Sequence, residues 1–388
     1  MERLENKKYI ILNFSYGFGP FLRTSELAIA INKILEERAE KRFKIIVPLV
    51  YGDDQKRIMR EEFSDYINSY PEEILFDKNL GKFLKSIFYS GAEGYENSLK
   101  DYLLKYSKIE KDAINYINNG LEAENFDGEK INIKKSDISF EINRSSRLNF
   151  GIDNSYYYSF GYVSEILEKS KKVSEINISE EILDSAVKRF KFLEDKCSVH
   201  FIAEPGTFYT NEYKKRRDTE INIPMTASMP KNNEAVDRGI YVTVSGISGL
   251  KNLYTSIKEF GLKIYTNKPD KLGSGEKRMP GVLVDENILF HFARTGWGSA
   301  WLSILSETPL ITMPYEKNDD PEIYFNNKIL SSLGICKIYN SEPINELMDF
   351  RKSAIEKIKL LKEELLSKYE TLDGVGYAAN KIVLNYLN

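Results

Sequence analysis

The chain has 388 residues, which is enough for two domains with a hydrophobic core in each. Its 55 Lys and Arg residues and 58 Asp and Glu residues leave a net charge of −3, which argues against a protein that coats nucleic acid. With 42% hydrophobic and 29% charged residues, the composition is that of a folded globular protein and excludes a disordered chain.

Cysteine and histidine are scarce in this sequence. Cys197 and Cys336 are far apart and form no CxxC motif, which argues against structural zinc, an iron–sulfur cluster and a disulfide framework. His200 and His291 each lie within an apolar run and are most simply core imidazoles, so we expect neither a bound metal nor a Ser-His-Asp triad. The sequence has no signal-type N-terminus and no run of about 18 apolar residues, which predicts a cytoplasmic protein and leaves peripheral membrane contact open.

The chain opens with a strand, a glycine loop and a helix. Residues 8–14 (KYIILNF) form an apolar run of strand length, and the loop 15–24 (SYGFGPFLRT) follows it. Leu27 and Ile31 begin a helical spacing of apolar residues, and residues 43–51 (FKIIVPLVY) predict a second strand that is apolar on both faces. This βαβ pattern predicts an α/β fold with a parallel sheet. Further helices are predicted at residues 54–69, 95–119 and 179–195, and further strands at 138–142 and 198–203.

A second βα series occupies the later part of the chain. Residues 204–238 contain three prolines and no sustained periodicity, so we place the domain boundary there. We predict an N-terminal domain at residues 1–205, a linker at 206–238 and a C-terminal domain at 239–369. A last helix is predicted within 370–388, and packing on the first domain is one option for it. In the second domain the predicted strands are 239–245, 262–266, 281–284, 288–293 and 310–313, and the predicted helices are 250–260, 299–307 and 343–369.

The sharpest local feature is the segment 294–299 (RTGWGS), which joins a predicted strand to a predicted helix. Gly296 and Gly298 would let backbone N–H groups approach an anion at the N-terminus of that helix, where the helix dipole favours phosphate. Ser299 could cap the helix and donate its hydroxyl group. A glycine turn is also common in α/β domains that bind nothing there, so the segment alone leaves both interpretations open.

Several motifs occur around this segment in a fixed order. Residues 294–299 are followed by a strand that ends in proline, 307–314 (ETPLITMP), and by an acidic segment, 320–326 (DPEIYFN). With these motifs the region 293–335 resembles the nucleotide-sugar half of GT-B glycosyltransferases, in particular UDP-glycosyltransferases and the N-acetylglucosaminyltransferases of peptidoglycan synthesis. The strand and turn at 239–250 (GIYVTVSGISGL) resemble the start of the same domain.

This resemblance implies a fold and an activity. The fold would be two doubly wound Rossmann-like domains that face a cleft. The activity would be the metal-independent transfer of a sugar from a nucleotide-diphosphate sugar to an acceptor, with no cofactor beyond that donor substrate. The donor would bind the C-terminal domain, and the acceptor (a saccharide, a lipid-linked molecule or a protein) would bind the N-terminal domain. Nucleic acid is not expected as a partner, and a partner subunit is left open.

The resemblance also implies roles for individual residues. Backbone amides of the segment 296–299 would hold the diphosphate, and Arg294 would orient the loop or the leaving phosphate. Glu322 and Asn326 would face the sugar or a phosphate. The donor-binding residues implied in this way are Ser245, Gly246, Arg294, Thr295, Gly296, Trp297, Gly298, Ser299, Glu322 and Asn326, and the acceptor-side loop carries Gly17, Gly19 and Arg23.

Two positions depart from the family pattern. Leu302 stands where the family has a glutamate that binds the ribose, and the loop 15–24 lacks the histidine that serves many members as the catalytic base. Glu26 could be the base if burial makes its carboxylate more basic, a retaining mechanism could use the leaving phosphate instead, and Glu26 could merely complement the helix dipole. The alternative functions are a catalytically silent GT-B subunit that activates a partner transferase and a nucleotide-sugar 2-epimerase.

The densest basic run is 214–217 (KKRR), within the predicted linker. It could contact a nucleotide phosphate, an anionic acceptor or lipid head groups. A solvated loop is the more ordinary explanation of such a run, and the sequence does not decide between these roles.

Overall fold

The computed structural model describes residues 8–88, 94–210, 215–231, 234–244, 258–259 and 261–384. Contacts divide the chain into two compact units, each with a sheet of mainly parallel strands. The α/β class with two such sheets, predicted from the sequence, is therefore confirmed. The first unit comprises Met1–Ala203, Lys214–Ile223 and Val375–Asn388, and the second comprises Glu204–Tyr213 and Pro224–Gly374.

The sheet of the first unit has its strands in the order β5-β4-β3-β2-β1-β6-β7-β8-β9. Neighbouring strands are parallel, except that β4 pairs antiparallel with both β3 and β5. The strands are β1 Tyr9–Phe14, β2 Lys44–Pro48, β3 Ile74–Asp77, β4 Leu121–Glu124, β5 Lys130–Ile133, β6 Ile138–Arg144, β7 Ser155–Ser159, β8 Val199–Ala203 and β9 Glu220–Ile223.

Helices connect these strands. The helices predicted at 95–119 and 179–195 are confirmed to within a residue, two other predictions differ, and the helices at 78–85 and 163–170 were not predicted. The helix predicted at 54–69 is two helices, which meet at Phe63. The loop predicted at 15–24 is shorter, because the first helix already begins at Phe18; proline at position 20 is tolerated there, since the first turn of a helix needs no N–H donors. The helices are α1 Phe18–Glu37, α2 Asp53–Glu62, α3 Ser64–Ser69, α4 Lys78–Lys85, α5 Tyr95–Asn119, α6 Val163–Ser170 and α7 Glu180–Asp195, with a 3-10 turn at Lys135–Asp137.

The sheet of the second unit has its strands in the order β12-β11-β10-β13-β14-β15, and all of its pairs are parallel. The strands are β10 Gly239–Val242, β11 Lys263–Thr266, β12 Glu276–Lys277, β13 Ile288–Phe292, β14 Leu310–Thr312 and β15 Cys336–Ile338. The described helices that follow α7 are α8 Pro269–Leu272, α9 Trp297–Leu305, α10 Pro321–Ser332, α11 Ile344–Tyr369 and α12 Gly374–Ile382.

Apolar residues on both faces of the second sheet form its core. Ile240, Val242 and Phe292 belong to one buried cluster, whereas Tyr241 and Ile288 belong to a second cluster. This alternation within continuous apolar runs is typical of parallel strands that are covered on both sides. The strand predicted at 281–284 was wrong, because Pro280–Val284 form a 3-10 helix. An apolar run of four residues carries too little periodicity to separate a strand from a short turn.

Candidate functional site

The chain reverses direction across the second sheet at one point, between β10 and β13. From β10 it continues to β11 and β12 on one side, and it returns to β13, β14 and β15 on the other side. Doubly wound sheets bind ligands in the crevice at the carboxyl ends of the two strands that flank such a reversal. The segment 293–296 follows β13 directly, so the predicted anion-binding segment begins at this crevice.

The N-terminus of α9 is open at its two glycines. Gly296 is the N-cap residue, with φ −63° and ψ 139°, and no side chain caps the helix. A Cβ atom added to Gly296 or Gly298 would have no atom within 4 Å outside its immediate chain neighbours and, for Gly298, the nearby backbone of α9. Neither packing nor a positive φ therefore requires glycine at these positions, and the missing side chains leave the first amides of α9 accessible to a ligand. The prediction that Ser299 caps the helix was wrong, since Ser299 lies in the first turn of α9.

Helix α10 holds the loop that precedes α9. The side-chain amide of Asn326 donates to the Thr295 carbonyl at 2.7 Å and to Glu322 Oε1 at 2.9 Å. Thr295 donates its hydroxyl to Asn327 Oδ1 at 2.6 Å. Asn326 is fully buried, and its Oδ1 has no hydrogen-bond partner among the described residues. The structure thus brings together three of the predicted site residues, Thr295, Glu322 and Asn326, whereas the contact made by Asn327 was not predicted.

An ion pair fixes Arg294, the residue that opens the predicted segment. Its guanidinium binds the carboxylate of Asp319, and both side chains are largely buried. Asp319 also accepts a hydrogen bond from the backbone of Glu316 at 3.0 Å. The next residue, Asp320, caps α10 by accepting from the Glu322 amide at 2.9 Å. The sequence resemblance suggested Arg294 as a site residue but did not indicate its partner. The acidic pair at positions 319 and 320 was the signal that could have indicated this partner.

Two tryptophans fix the other side of α9. Trp297 is buried, and its indole N–H donates to Thr207 Oγ1 at 3.0 Å. The indole N–H of Trp301 donates to the Pro205 carbonyl at 2.9 Å, and the two indole rings lie 5.6 Å apart. These bonds tie α9 to the segment 204–210 of the same unit. The Trp297 ring is therefore an anchor, and only its backbone remains for the predicted role in donor binding.

Two predicted donor-site residues, and the position where the family's glutamate is missing, complete this region. Ser245 and Gly246 lie outside the described residues. Leu302 packs against the apolar cluster that contains Tyr241 and Tyr265, so this position offers a ligand no polar group.

Both histidines are core residues, as the sequence suggested. His200 bonds to Thr219 Oγ1 at 2.9 Å and to the Glu194 carbonyl at 2.8 Å, and burial lowers its pKa to about 4. His291 bonds to two hydroxyl groups, and burial lowers its pKa to about 3. Both imidazoles are therefore neutral at ordinary pH.

The predicted acceptor-side residues follow the first strand of the first sheet, which also reverses its order there, between β1 and β6. Gly17 has φ 111°, a value that favours glycine, and its amide donates to the Tyr51 hydroxyl at 2.7 Å. Gly19 and Arg23 lie in α1, and Arg23 forms an ion pair with Glu26. The structure therefore places the predicted acceptor-side residues and the predicted base on one short stretch of chain.

The basic run is only partly described, but its arginines have acidic partners. Arg216 pairs with Glu165 at 2.9 Å. Arg217 pairs with Asp195 and, at 3.3 Å, with the buried carboxylate of Glu194. These contacts stabilise the first unit, so the two arginines do not form an unneutralised anion site.

No group of three or more potential metal ligands occurs within the ranges that the structure describes. In the same ranges, no helix is long and apolar enough to cross a bilayer.

Solved structures of glycosyltransferases share this fold. A UDP-glucosyltransferase from Polygonum tinctorium, capable of glucosylating indoxyl, is 15% identical with a TM-score of 0.59, and the match covers 97% of this chain and 98% of that one. UGT2 of Phytolacca americana, in complex with UDP-2fluoro-glucose and pterostilbene, is 13% identical with a TM-score of 0.57 over the same shares. The glycosyltransferase SnogD from Streptomyces nogalater is 13% identical with a TM-score of 0.54, over 97% and 99%. The chain thus has the GT-B fold that its motifs predicted.

No family model and no curated protein matches this sequence.

Proposed function

We propose that the protein is a glycosyltransferase that binds a nucleotide-diphosphate sugar at the N-terminus of α9 and transfers the sugar to an acceptor. One observation carries this proposal: in a GT-B fold, the glycine-flanked N-terminus of α9 lies at the strand reversal of the second sheet. Such a terminus is suited to a diphosphate, because its free amides and the helix dipole stabilise negative charge without a metal ion.

The polar groups around this terminus support the same ligand. As the bond to the sugar breaks, negative charge accumulates on the leaving diphosphate, and fixed N–H donors stabilise that charge with little reorganisation. Arg294 is paired with Asp319, so we assign its guanidinium the role of orienting the loop and not that of an unneutralised charge. Glu322 and Asn326 lie beside Thr295, and we propose that the half-buried Glu322 faces the sugar, while the fully buried Asn326 holds the loop. We propose UDP as the nucleotide, since the solved relatives include complexes with UDP and UDP-2fluoro-glucose.

We propose the loop after β1 and the start of α1 as the acceptor side, with Glu26 as the general base. Gly17, Gly19 and Arg23 lie there together with Glu26. The engagement of Glu26 by Arg23 also favours the alternative, a catalytically silent subunit that binds and activates a partner transferase. A base that removes a proton from the acceptor needs its carboxylate within hydrogen-bond reach of the acceptor hydroxyl.

Isothermal titration with UDP, GDP and dTDP tests donor binding, and a panel of nucleotide sugars with detection of released nucleotide tests turnover. We expect UDP to bind with micromolar affinity and a UDP-sugar to be consumed when an acceptor is present. Binding without turnover on the whole panel would support the silent subunit. A chain that binds none of the three nucleotides would refute the glycosyltransferase, and strong association with a partner transferase would then support the silent subunit.

A further inference from the structure

A buried polar chain joins the two strands and the helix that surround the crevice of the second sheet. His291, in β13, bonds through Nε2 to Thr243 Oγ1 at 2.8 Å and through Nδ1 to Ser303 Oγ at 2.7 Å. Thr243 follows the last residue of β10, and Ser303 lies in α9. The imidazole therefore connects three elements: β10 and β13, between which the sheet reverses, and the helix whose N-terminus faces the proposed diphosphate.

His291 is a polar side chain in the interior of the second unit. On the same face of the sheet, the ring of the buried Tyr241 lies 5.8 Å from that of His291, and His291 itself is fully buried. A polar group in such a place costs free energy unless each of its polar atoms has a partner, and both ring nitrogens of His291 have one. Because the ring is neutral, it contributes no charge to an anion. Its contribution is geometric.

The geometry that it sets is the position of α9 relative to the end of β10. On its opposite side α9 is held by the bonds of Trp297 and Trp301 to the segment 204–210. The contact between His291 and Ser303 holds the same helix from the sheet side. The amide of Thr243 also donates to the Phe292 carbonyl at 2.8 Å, so the end of β10 is fixed to β13 twice.

We propose that His291 is a positioning residue for the nucleotide site: it sets the distance between α9 and the end of β10, and thereby the fit of the diphosphate. This inference rests on the proposed function. According to this inference, His291 contributes to the affinity for the nucleotide without contacting it. The reason is that a displacement of about 1 Å in a bound geometry is enough to weaken polar contacts substantially.

The experiment compares the UDP affinity and the melting temperature of four proteins. His291→Phe keeps a ring of similar size and removes both hydrogen bonds. His200→Phe is the matched control, because His200 is also a buried strand histidine with two hydrogen bonds, but in the first unit. We expect both variants to melt at lower temperature, and only His291→Phe to bind UDP about 10-fold more weakly than the wild type.

A triple variant separates positioning from stability. This variant is Thr243→Val/His291→Phe/Ser303→Ala, which removes the polar group of each of the three hydrogen-bonded side chains. No hydroxyl group is then left without its partner, so much of the lost stability should return. We expect its UDP affinity to remain about 10-fold low.

Recovery of affinity together with melting temperature in the triple variant would overturn the inference, and so would equal UDP affinities of His291→Phe and His200→Phe. If the wild type binds UDP and the variants bind it with the same affinity, the inference is contradicted and the proposed function is not. A wild-type chain that binds no nucleotide contradicts the proposed function as well.

Discussion

The helices α1 and α9 occupy equivalent places in the two sheets, yet their N-termini differ in chemistry. Each follows a strand at the point where its sheet reverses, and each begins after a glycine N-cap without a side-chain cap. The first turn of α1 contains Pro20, which has no N–H, and the Gly17 amide already donates to Tyr51. The third residue of α9 is Ser299, whose N–H donates to the Gly296 carbonyl at 3.0 Å. Because the Gly17 amide at the start of α1 is already bonded, we propose the anion site at α9.

The two N-termini also differ in the side chains around them. Tyr16 and Phe18 are 54% and 40% exposed, and the ring of Phe18 lies 4.7 Å from that of Tyr51. Tyr16 contacts Phe88 at 5.7 Å. Rings that are packed on one another and still exposed are suited to stacking on a flat or ring-shaped molecule, whereas the open glycines of α9 are suited to a phosphate group. The difference separates the proposed acceptor side from the proposed donor side.

A negative charge introduced at the N-terminus of α9 should have the largest effect on UDP affinity. In Gly298→Glu a carboxylate would lie near the diphosphate, and two like charges about 4 Å apart cost about 4 kcal/mol at an effective dielectric constant of 20, which is about 1000-fold in affinity. The same change should raise the free energy of unfolding by about 1 kcal/mol, because it replaces a helical glycine and complements the helix dipole. Titration with UDP and urea denaturation measure the two effects.

Gly298→Gln is the matched control, since it has nearly the same size and no charge. We expect it to bind UDP at least 10-fold more tightly than Gly298→Glu. Equal affinities of the two variants would show that the anion does not bind at α9.

The next effect is expected from Arg217, which the structure assigns to the stability of the first unit and not to ligand binding. Arg217→Ala leaves the buried carboxylate of Glu194 without its cation, and removing one partner of a buried ion pair costs roughly 3 kcal/mol. Urea denaturation should show that loss, with UDP affinity unchanged. The neighbouring exposed Lys215→Ala should change stability by less than about 0.5 kcal/mol. A UDP affinity that falls with Arg217→Ala would return the basic run to the donor site.

Glu26→Gln tests the acceptor side of the comparison. Loss of a general base should reduce kcat by about 100-fold, because the carboxylate can no longer accept the acceptor proton, while UDP affinity stays the same. Glu36→Gln, near the other end of α1, is the control and should leave kcat unchanged. If Glu26→Gln transfers sugar at the wild-type rate, the leaving phosphate is the better candidate for the base.

The smallest effect concerns the pH dependence of stability. Burial raises the pKa of Glu141 to about 7, and Asn13 donates to its carboxylate at 2.5 Å. Since this value lies above that of the unfolded chain, about 4.3, the native state holds the proton more tightly. The stability that Glu141 contributes is therefore complete at low pH and is lost as pH rises towards and through 7.

His291 has the opposite sign, because burial lowers its pKa to about 3 and the native state then disfavours the proton. The free energy of unfolding that His291 contributes therefore rises with pH from about 3 to about 6.5.

Urea denaturation of Glu141→Gln and the wild type should show that their difference in unfolding free energy changes by roughly 1 kcal/mol between pH 6 and pH 7, in favour of the variant at the higher pH. The exposed Glu356→Gln serves as the control and should show no such change; a pH-independent difference for Glu141→Gln would contradict the raised pKa.

Much of the fold could be predicted, because buried parallel strands are continuous apolar runs. The runs at 8–14 and 288–293 predicted β1 and β13 to within a residue. The strands β4 and β5 were missed, since LEAE and KINI are short and half exposed and carry little apolar signal. The division of the chain into five stretches could not be predicted either, because it depends on contacts between residues that are far apart in sequence.

The sequence indicated that certain residues lie together, but it did not indicate the contacts that they make. The order of the motifs predicted Thr295, Glu322 and Asn326 as residues of one site, and the structure brings these three together. The role of the Trp297 ring as an anchor was not predictable, since its partner Thr207 is 90 residues away and lies in a stretch without periodicity. The partners of His291 were missed for the same reason: a hydroxyl group on another element leaves no mark on the local pattern.

The first unit is completed by segments that lie late in the sequence, and this affects how it folds during synthesis. Strand β8 ends at Ala203, its outer neighbour β9 begins at Glu220, and α12 is supplied from Gly374 onwards. A ribosome-bound chain that has just completed β8 would therefore present the open edge of a long sheet, a surface prone to pairing with other chains. A fragment ending at residue 203 would keep that edge permanently, so expression of this half as a soluble piece requires the later strand to be joined to it.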